Sequence, residues 1–373
     1  MRPAFSLIIV FHAGVSYLQA CIESVLASTN NDDEIIVVAN NVNEHALELP
    51  DFGLRVQVLK ISQSLGYAGA SNMGAAKAQR NHLVFCDHDL VFEPDWLEHL
   101  WLSYSAHSDI GASSCKAINP HSSAILDFGI AFSAFNGAHP GLDLPQSHPL
   151  VQEDRLAQAI CTSGFLISAN DFQAAGKFDV SFGSMYTDLD LCLQLKRIGL
   201  KVVSSAKALA YHFGGDTHLA GDKAYKASSL KADIKGAFMR KHADVLEFDL
   251  GYYYSIAIQN HIAEHGPLKK YLCCNMMNVA DPDWYEEQVL KRGMLSYESI
   301  TIASGLRDAS SLGLFETLGF NIMQSNVRIA YFVDRFSSLR GNEYWWKRRA
   351  GCDDLIVDRN ANVLKIDAIL RKW

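Results

Sequence analysis

Two aspartates separated by one residue, Asp87 and Asp89, close the apolar run HLVFC and flank His88. Carboxylates this close repel each other, and desolvation at a strand end raises the pKa of at least one of them. A divalent cation relieves both costs; the hard ions Mg²⁺ and Mn²⁺ take one or two carboxylates together with substrate phosphate oxygens. The plain alternative is a turn capped by Asp87, with Asp89 a solvated loop acid. A second acidic pair, Asp188 and Asp190, opens a helical pattern whose apolar face is Leu191, Leu195 and Ile198. Acids in a first helical turn are favoured there as caps, while Asp188 is also placed to point from the helix mouth as a general base. His212 ends a short strand pattern before Gly214 and Gly215, and reads either as a structural histidine or as a third metal ligand. The run ISQSLGYAGASNMGAAKA sets Gly66, Gly69 and Gly74 around the turn into a small-residue helix, with Asn72 one helical turn on. Such a turn lets backbone N–H groups approach a polar ligand, or lets the helix pack close to a sheet. It lacks the phosphate-loop lysine and the spaced GxGxxG, so neither of those fingerprints fits.

The elements that would position these residues read as a doubly wound α/β fold in the first half of the chain. Ser6–Phe11 is an unbroken apolar run suited to a central parallel strand. Leu18, Ile22, Val25 and Leu26 then fall at helical spacing, followed by strands at Glu34–Val38, Val56–Ile61 and His82–Cys86. Gly69–Ala78 is helical, and Pro94 opens a helix reaching Trp101. Residues 118–150 are rich in Asn, Pro, His, Ser and Gly and predict a loop or hairpin excursion. Regular patterning resumes at Ile160–Ser168, with a helix after Asn170, another over Asp188–Ile198 stopped by Gly199, and short strands at Val202–Ser204 and Ala208–His212. Ligands of open α/β sheets bind at the carboxyl ends of the strands. That rule singles out Phe11-His12, Asn40-Asn41, Ser62–Ser64 and Asp87-His88-Asp89.

Composition bounds the rest. The chain has 373 residues, 49% hydrophobic and 20% charged, with 9 Pro and 25 Gly, which suits about two globular domains and excludes a disordered or fibrous chain. No apolar window reaches the roughly 18 residues of a membrane span, and no signal-peptide pattern follows Met1. Eight cysteines without a CxxC pair read as buried thiols of a reducing compartment, hence a cytoplasmic protein. Residues 1–220 carry a net charge of −10 and residues 221–373 a net of +2. An acidic first half argues against a nucleic-acid groove. It admits a single nucleotide diphosphate provided a cation intervenes. A boundary near 215–225 divides residues 1–220 from residues 221–373. In the latter, Ala224–His242, Tyr253–His265 and Trp284–Arg292 look helical, giving a smaller, mixed and largely helical region.

Taken in order, SLIIVFHAG, CIESVLAST, EIIVVANN, SLGYAGASNMGAAKA, VFCDHD, TSGFLISANDFQAAGKFD, TDLDLCLQLKRIGLKV and YHFGGDT resemble the family 2 glycosyltransferases of the GT-A fold, over about residues 5–215. The resemblance implies an inverting enzyme that moves a sugar from a UDP-, dTDP- or GDP-sugar to a glycan or lipid-linked acceptor, with Mn²⁺ or Mg²⁺. It makes Asp87-His88-Asp89 the DxD motif, with Asp89 the main metal ligand, Asp87 on metal or ribose, and His212 where some relatives bind metal. It makes Asp188 the base and gives Asp190 a structural or acceptor-orienting role. Thr162, Ser163 and Gly164 match the turn beneath donor sugar and acceptor. Phe11, His12, Asn40, Asn41, Gly66, Ala68, Asn72 and His88 complete the nucleotide-sugar set. Three positions depart from the pattern: Ala39 stands where an Asp reads the base, Thr187 replaces a Glu before Asp188, and Phe11-His12-Ala13 replaces a polar-Tyr-Asn run.

No resemblance covers residues 221–373. Asn342–Arg349 (NEYWWKRR) sets adjacent aromatics beside three cations, which suits peripheral contact with a membrane and a lipid-linked acceptor, or else a surface helix with core-facing tryptophans. A homodimer interface is another candidate role for the region. Two rivals to the transferase remain at this point. A sugar-nucleotide nucleotidyltransferase would want a basic Gly-rich loop that HAGVSYLQA lacks, and a non-catalytic carbohydrate-binding protein on a decayed transferase fold is kept open by Ala39 and Thr187.

Overall fold

The computed structural model describes residues 2–41, 53, 55–132, 137–214, 228–247, 249, 253, 271–275, 297–298, 328–333, 346–347, 349–358, 360, 362–366 and 368. In chain order the elements begin with β1 (Phe5–Phe11), α1 (Val15–Ser28), β2 (Glu34–Asn40), β3 (Val56–Ile61), α2 (Gly66–Lys77), β4 (His82–Asp87) and β5 (Leu90–Phe92). They continue with α3 (Trp96–Ser105), β6 (Ile110–Ile118), β7 (Ile125–Asp127), β8 (Ala131–Phe132), β9 (Gly137–Ala138), β10 (Arg155–Ala157) and β11 (Phe165–Ser168). Then come α4 (Ala169–Ala174), α5 (Thr187–Arg197), β12 (Lys201–His212) and α6 (Ser228–Lys241), and finally β13 (Tyr271–Asn275), β14 (Tyr297–Glu298), β15 (Arg328–Val333), β16 (Leu355–Asp358) and β17 (Val363–Lys365). They form two compact units, Met1–Phe132 with Leu144–Glu247, and Ser133–Asp143 with Phe248–Trp373.

The first unit is built on a ten-stranded sheet ordered β10-β12-β6-β11-β4-β1-β2-β3, with β5 on β12 and β7 on β6. Strands β4, β1, β2 and β3 run parallel, as do β6 and β12; β11 is antiparallel to both its neighbours. The expected α/β class with a mostly parallel sheet and flanking helices is borne out. Alternation along β1 explains its burial on both faces. Leu7, Ile9 and Phe11 join Leu18, Ile22 and Val25 of α1 in one core, while Ile8 and Val10 join Ile36, Ala68, Ala70 and Phe85 in the other. Helix α2 lies so close to that second face that a Cβ on Gly74 would sit 2.5 Å from Ile8 Cγ2. The packing reading of the glycine-rich run therefore holds at Gly74.

Several boundaries differ from the expectation. Pro94 and Asp95 precede α3, whose start follows Asp95 at φ 65, and the helix continues to Ser105. The two short strands expected near 202–212 are one strand, β12, with a register shift between Ser205 and Leu209. Strand β6 was not foreseen. The first unit also runs past residue 220 to Glu247, because α6 packs into it through Phe238, which is fully buried.

The second unit, expected to be largely helical, is organised among the described residues around a five-stranded sheet ordered β14-β13-β15-β16-β17. All its pairings are parallel except β16–β17. Its core holds a buried ion pair, Arg349 Nη2 to Asp354 Oδ1 at 2.5 Å, and Asp354 Oδ1 also accepts from Ile329 N at 2.9 Å. Trp346 is buried and meets Tyr331 edge-on at 5.0 Å. Within NEYWWKRR, then, Trp346 and Arg349 serve the core of this unit and are not offered to a membrane surface. The side chains of Asn360 and Asn362 accept from His139 N and Gly141 N at 3.0 and 2.8 Å, which ties the 137–143 excursion into this unit. Of the helix expected over Tyr253–His265 only residue 253 is among the described residues, and the one expected over Trp284–Arg292 lies outside them.

Candidate functional site

Asp87 is the last residue of β4, and Asp89 follows in the turn to β5. Strand β5 pairs antiparallel with the end of β12, in a register that sets Leu90 opposite His212. Phe213 N donates to Asp89 O at 3.0 Å. This pairing carries His212 from a point more than a hundred residues away in sequence to within 3.4 Å of Asp89 (Nε2 to Oδ1). Asp87, Asp89 and His212 each offer a ligand atom, and the three atoms lie within 4.8 Å of one another. Two carboxylates and an imidazole converging this closely fit one hard or borderline divalent cation.

The electrostatics agree. Burial pushes the Asp87 carboxyl up to about 7; His212 opposes that rise, while Asp89 and Asp188 add to it. Burial alone would lower His212, but the hydrogen bond and charge of Asp89, with Asp87 and Asp127, raise it. Burial thus favours the neutral form of Asp87, with neighbouring carboxylates adding to it, while those carboxylates favour the protonated form of His212. Asp188 sits in the first turn of α5, where its Oδ1 accepts from Leu189 N at 2.9 Å. Its charge acts on Asp87, so the expected base lies within electrostatic reach of the expected metal cluster.

Other expected residues are engaged within the fold, Asp190 in the structural one of its two expected roles. Asp190 is 1% exposed and turns toward α6, where Lys241 Nζ and His242 Nε2 each lie 2.7 Å from its Oδ1. Asn72 spans the backbone of Phe178, donating to its carbonyl at 2.8 Å and accepting from its N–H at 3.2 Å, and so does not face the crevice. Asn40 holds the turn into α2 by accepting from Leu65 N at 3.0 Å and donating to Gly66 O at 3.3 Å. The first amides of α2 are also engaged. Ala68 N donates to Gly183 O and Tyr67 N to Ser184 Oγ, both at 3.0 Å. Gly66 has φ 64, and a Cβ there would lie 3.0 Å from Gly183 O. The open N–H cradle expected at this turn is therefore closed by residues 183–184. Phe11 and His88 are buried and meet edge-on at 5.3 Å; His88 Nδ1 lies 3.2 Å from Val10 O, and burial drops its pKa to about 4. Of the expected nucleotide residues, His12 and Asn41 are exposed at the ends of β1 and β2.

Thr162, Ser163 and Gly164 are buried just before β11. Gly164 has φ 75, and a Cβ on it would lie 2.7 Å from Cys115 Sγ, so only glycine fits that turn. Two features escaped the sequence reading. Tyr67 has its phenol pKa raised well above the ordinary value by burial, with Asp87 adding to it, which places it beside the acidic cluster. Lys241 and His242 were read only as the end of a helix.

Comparison with known proteins follows the same residues. Residues 6–122 match the family model described as glycosyl transferase family 2, a segment running from β1 through β6 and containing Asp87 and Asp89. Over that segment, about a third of the chain, the resemblance read from the motifs is borne out. The O-antigen biosynthesis protein RfbC of Myxococcus xanthus is 26% identical over 222 residues, covering 56% of this chain and 17% of the relative. The glycosyltransferase GlyG of Streptococcus pneumoniae serotype 4 is 28% identical over 105 residues, covering 27% of this chain and 35% of the relative. The chain thus spans about a third or less of these relatives. Among solved structures, GalNAc-T7 with UDP, GalNAc and Mn²⁺ aligns with TM-score 0.48 at 17% identity, covering 71% of this chain and 58% of that one. The mannosyltransferase PcManGT from Pyrobaculum calidifontis, in complex with GDP-Man and Mn²⁺, aligns with TM-score 0.42 at 12% identity, covering 85% and 74%. No helix among the described residues is long and apolar enough to cross a membrane.

Proposed function

We propose that the first unit is an inverting glycosyltransferase that moves a sugar from a nucleotide-sugar donor to a hydroxyl of a glycan or lipid-linked acceptor. The observation that carries the reading is the convergence of Asp87, Asp89 and His212 within 4.8 Å, with the charge of Asp188 acting on the same cluster. Asp87, Asp89 and His212 would hold a divalent cation, Mn²⁺ or Mg²⁺. When bound, such a cation supplies positive charge to a diphosphate leaving group. Asp188 takes the proton of the acceptor hydroxyl as that oxygen attacks the anomeric carbon from the face opposite the diphosphate, which inverts the centre. Gly164 allows the tight turn before β11, where a Cβ would run into Cys115, Trp96 and Phe92 of the core. His12 and Asn41, exposed at neighbouring strand ends, would meet the nucleobase. The name of the Myxococcus relative supports a surface-polysaccharide intermediate as acceptor, and the match over 6–122 supports the transfer chemistry.

The test is transfer and donor hydrolysis over a panel of UDP-, dTDP- and GDP-sugars with Mn²⁺ or Mg²⁺. Asp188→Asn should lower transfer by about 10²–10⁴-fold while donor binding survives. Loss of donor binding in that variant rejects the role given to Asp188.

A further inference from the structure

Helix α6 supports the segment carrying Asp188 on both sides of that residue. On the N-terminal side, the ring of Tyr186 lies over Phe238 with centroids 4.9 Å apart, and Phe182 meets Phe238 at 6.2 Å. On the C-terminal side, Asp190 Oδ1 is 2.7 Å from both Lys241 Nζ and His242 Nε2. Lys241 also reaches Asp179 at 2.6 Å, and Arg197, at the far end of α5, approaches His242 Nδ1 at 3.2 Å and pairs with Asp244 at 2.5 Å. These contacts oppose a local cost. Tyr186 has φ 60, a left-handed conformation that a large side chain adopts only when its surroundings impose it. Its carbonyl accepts from Asp190 N at 2.8 Å, so the conformation of Tyr186 and the placement of Asp190 are one structure, and Asp188 lies inside it. The buried carboxylate of Asp190 in turn needs its cationic partner, since a buried charge without one is strongly destabilising.

We propose that α6 is a brace that positions the base, with His242 and Lys241 as positioning residues that do not themselves meet the substrate. The proposal rests on the reading of Asp188 as the base. An attacking hydroxyl must be aligned with the base to within a fraction of an ångström, and a misplacement of about 1 Å costs on the order of 10²-fold in rate. The residues read as holding metal and donor lie at the ends of β1, β2, β4 and β12. Loosening the brace should therefore affect the transfer step and leave donor affinity in place.

Three variants test this: His242→Ala, His242→Gln, which keeps a donor where Nε2 stands, and Lys241→Met, which keeps the apolar stem. For each, folding is followed by circular dichroism, Mn²⁺-dependent donor binding by calorimetry, and transfer by kcat and KM. His242→Ala should lower the transfer kcat by about 10–100-fold, with donor KM and Kd within about twofold of the parent. His242→Gln should regain most of that loss, and Lys241→Met should fall in the same direction. A folded His242→Ala with the parent's kcat overturns the proposal, as does a loss of donor affinity that tracks the loss of kcat. Should His242→Ala fail to fold, Lys241→Met is judged by the same two criteria. Asp188→Asn is measured alongside. If it retains transfer, the base assignment itself fails; if it is inactive while the α6 variants match the parent, the brace alone fails.

Discussion

At the scale of single residues, the site is a problem in negative charge. Asp87 is held up to about 7 chiefly by burial, so below that pH a cation must displace a proton to bind there. Mn²⁺ affinity should therefore rise with pH through about 7 and then level off, with proton release on binding. Calorimetry in two buffers of different ionisation enthalpy measures both, and affinity constant from pH 6 to pH 8 would contradict the assignment. The sign reverses for the metal-free protein. Between the ordinary 3.8 and about 7, folded Asp87 keeps a proton that the unfolded chain has released, so its contribution to stability declines as pH rises over that window. Asp358 in the second unit, also pushed up to about 7 by burial, acts with the same sign. That Asp87, Asp89 and His212 come together was legible in the sequence, because each stands at a strand end where an open α/β sheet gathers its polar side chains. Asn40, Asn72 and His88 were not, because a sequence does not say where an amide or ring sends its hydrogen bonds. Those bonds go to Leu65, Gly66, Phe178 and Val10.

At the scale of elements, the close approach of α2 to the sheet is the feature most exposed to mutation. Gly74→Ala would set a Cβ 2.5 Å from Ile8 Cγ2 and 3.0 Å from Val38 Cγ2, and should cost about 1–3 kcal/mol through overpacking. Urea denaturation measures that loss, and an unchanged midpoint would show that the helix has room to retreat. Strands β1, β2 and β4 were readable as continuous apolar runs, since parallel central strands are buried on both faces, and β3, at the sheet edge, by its alternating VQVLKI pattern. Strand β6 was hidden because its sequence, IGASSCKAI, carries buried serines. Ser113 Oγ donates to Leu100 O at 3.1 Å, so a polar residue sits inside without disrupting the strand. The β5–β12 pairing that completes the acidic cluster was equally hidden, because it joins a three-residue strand to one far along the chain.

At the scale of the whole chain, two units each hold their own sheet. The second was poorly legible because β13, β15 and β16 are apolar runs of four to six residues, a length at which periodicity does not separate strand from buried helix. In the NEYWWKRR run the core-facing reading holds at Trp346, but its charges did not announce that Arg349 is the buried partner of Asp354. Removing that partner leaves an isolated buried carboxylate, so Arg349→Met should cost about 3–5 kcal/mol. Chemical denaturation followed by tryptophan fluorescence reads this through Trp346, which is buried against Tyr331. A variant as stable as the parent would mean the pair contributes no net stabilisation.

The central claim is that a nucleotide diphosphate enters this acidic crevice only in company with a cation held by Asp87, Asp89 and His212. Calorimetric titration of the full chain with UDP-, dTDP- and GDP-sugars, with Mn²⁺ and then with EDTA, tests it most directly, with Asp89→Ala as the paired variant. The account predicts binding of at least one donor with Mn²⁺, and its loss both in EDTA and in Asp89→Ala. Donor binding of equal strength under all three conditions would contradict it.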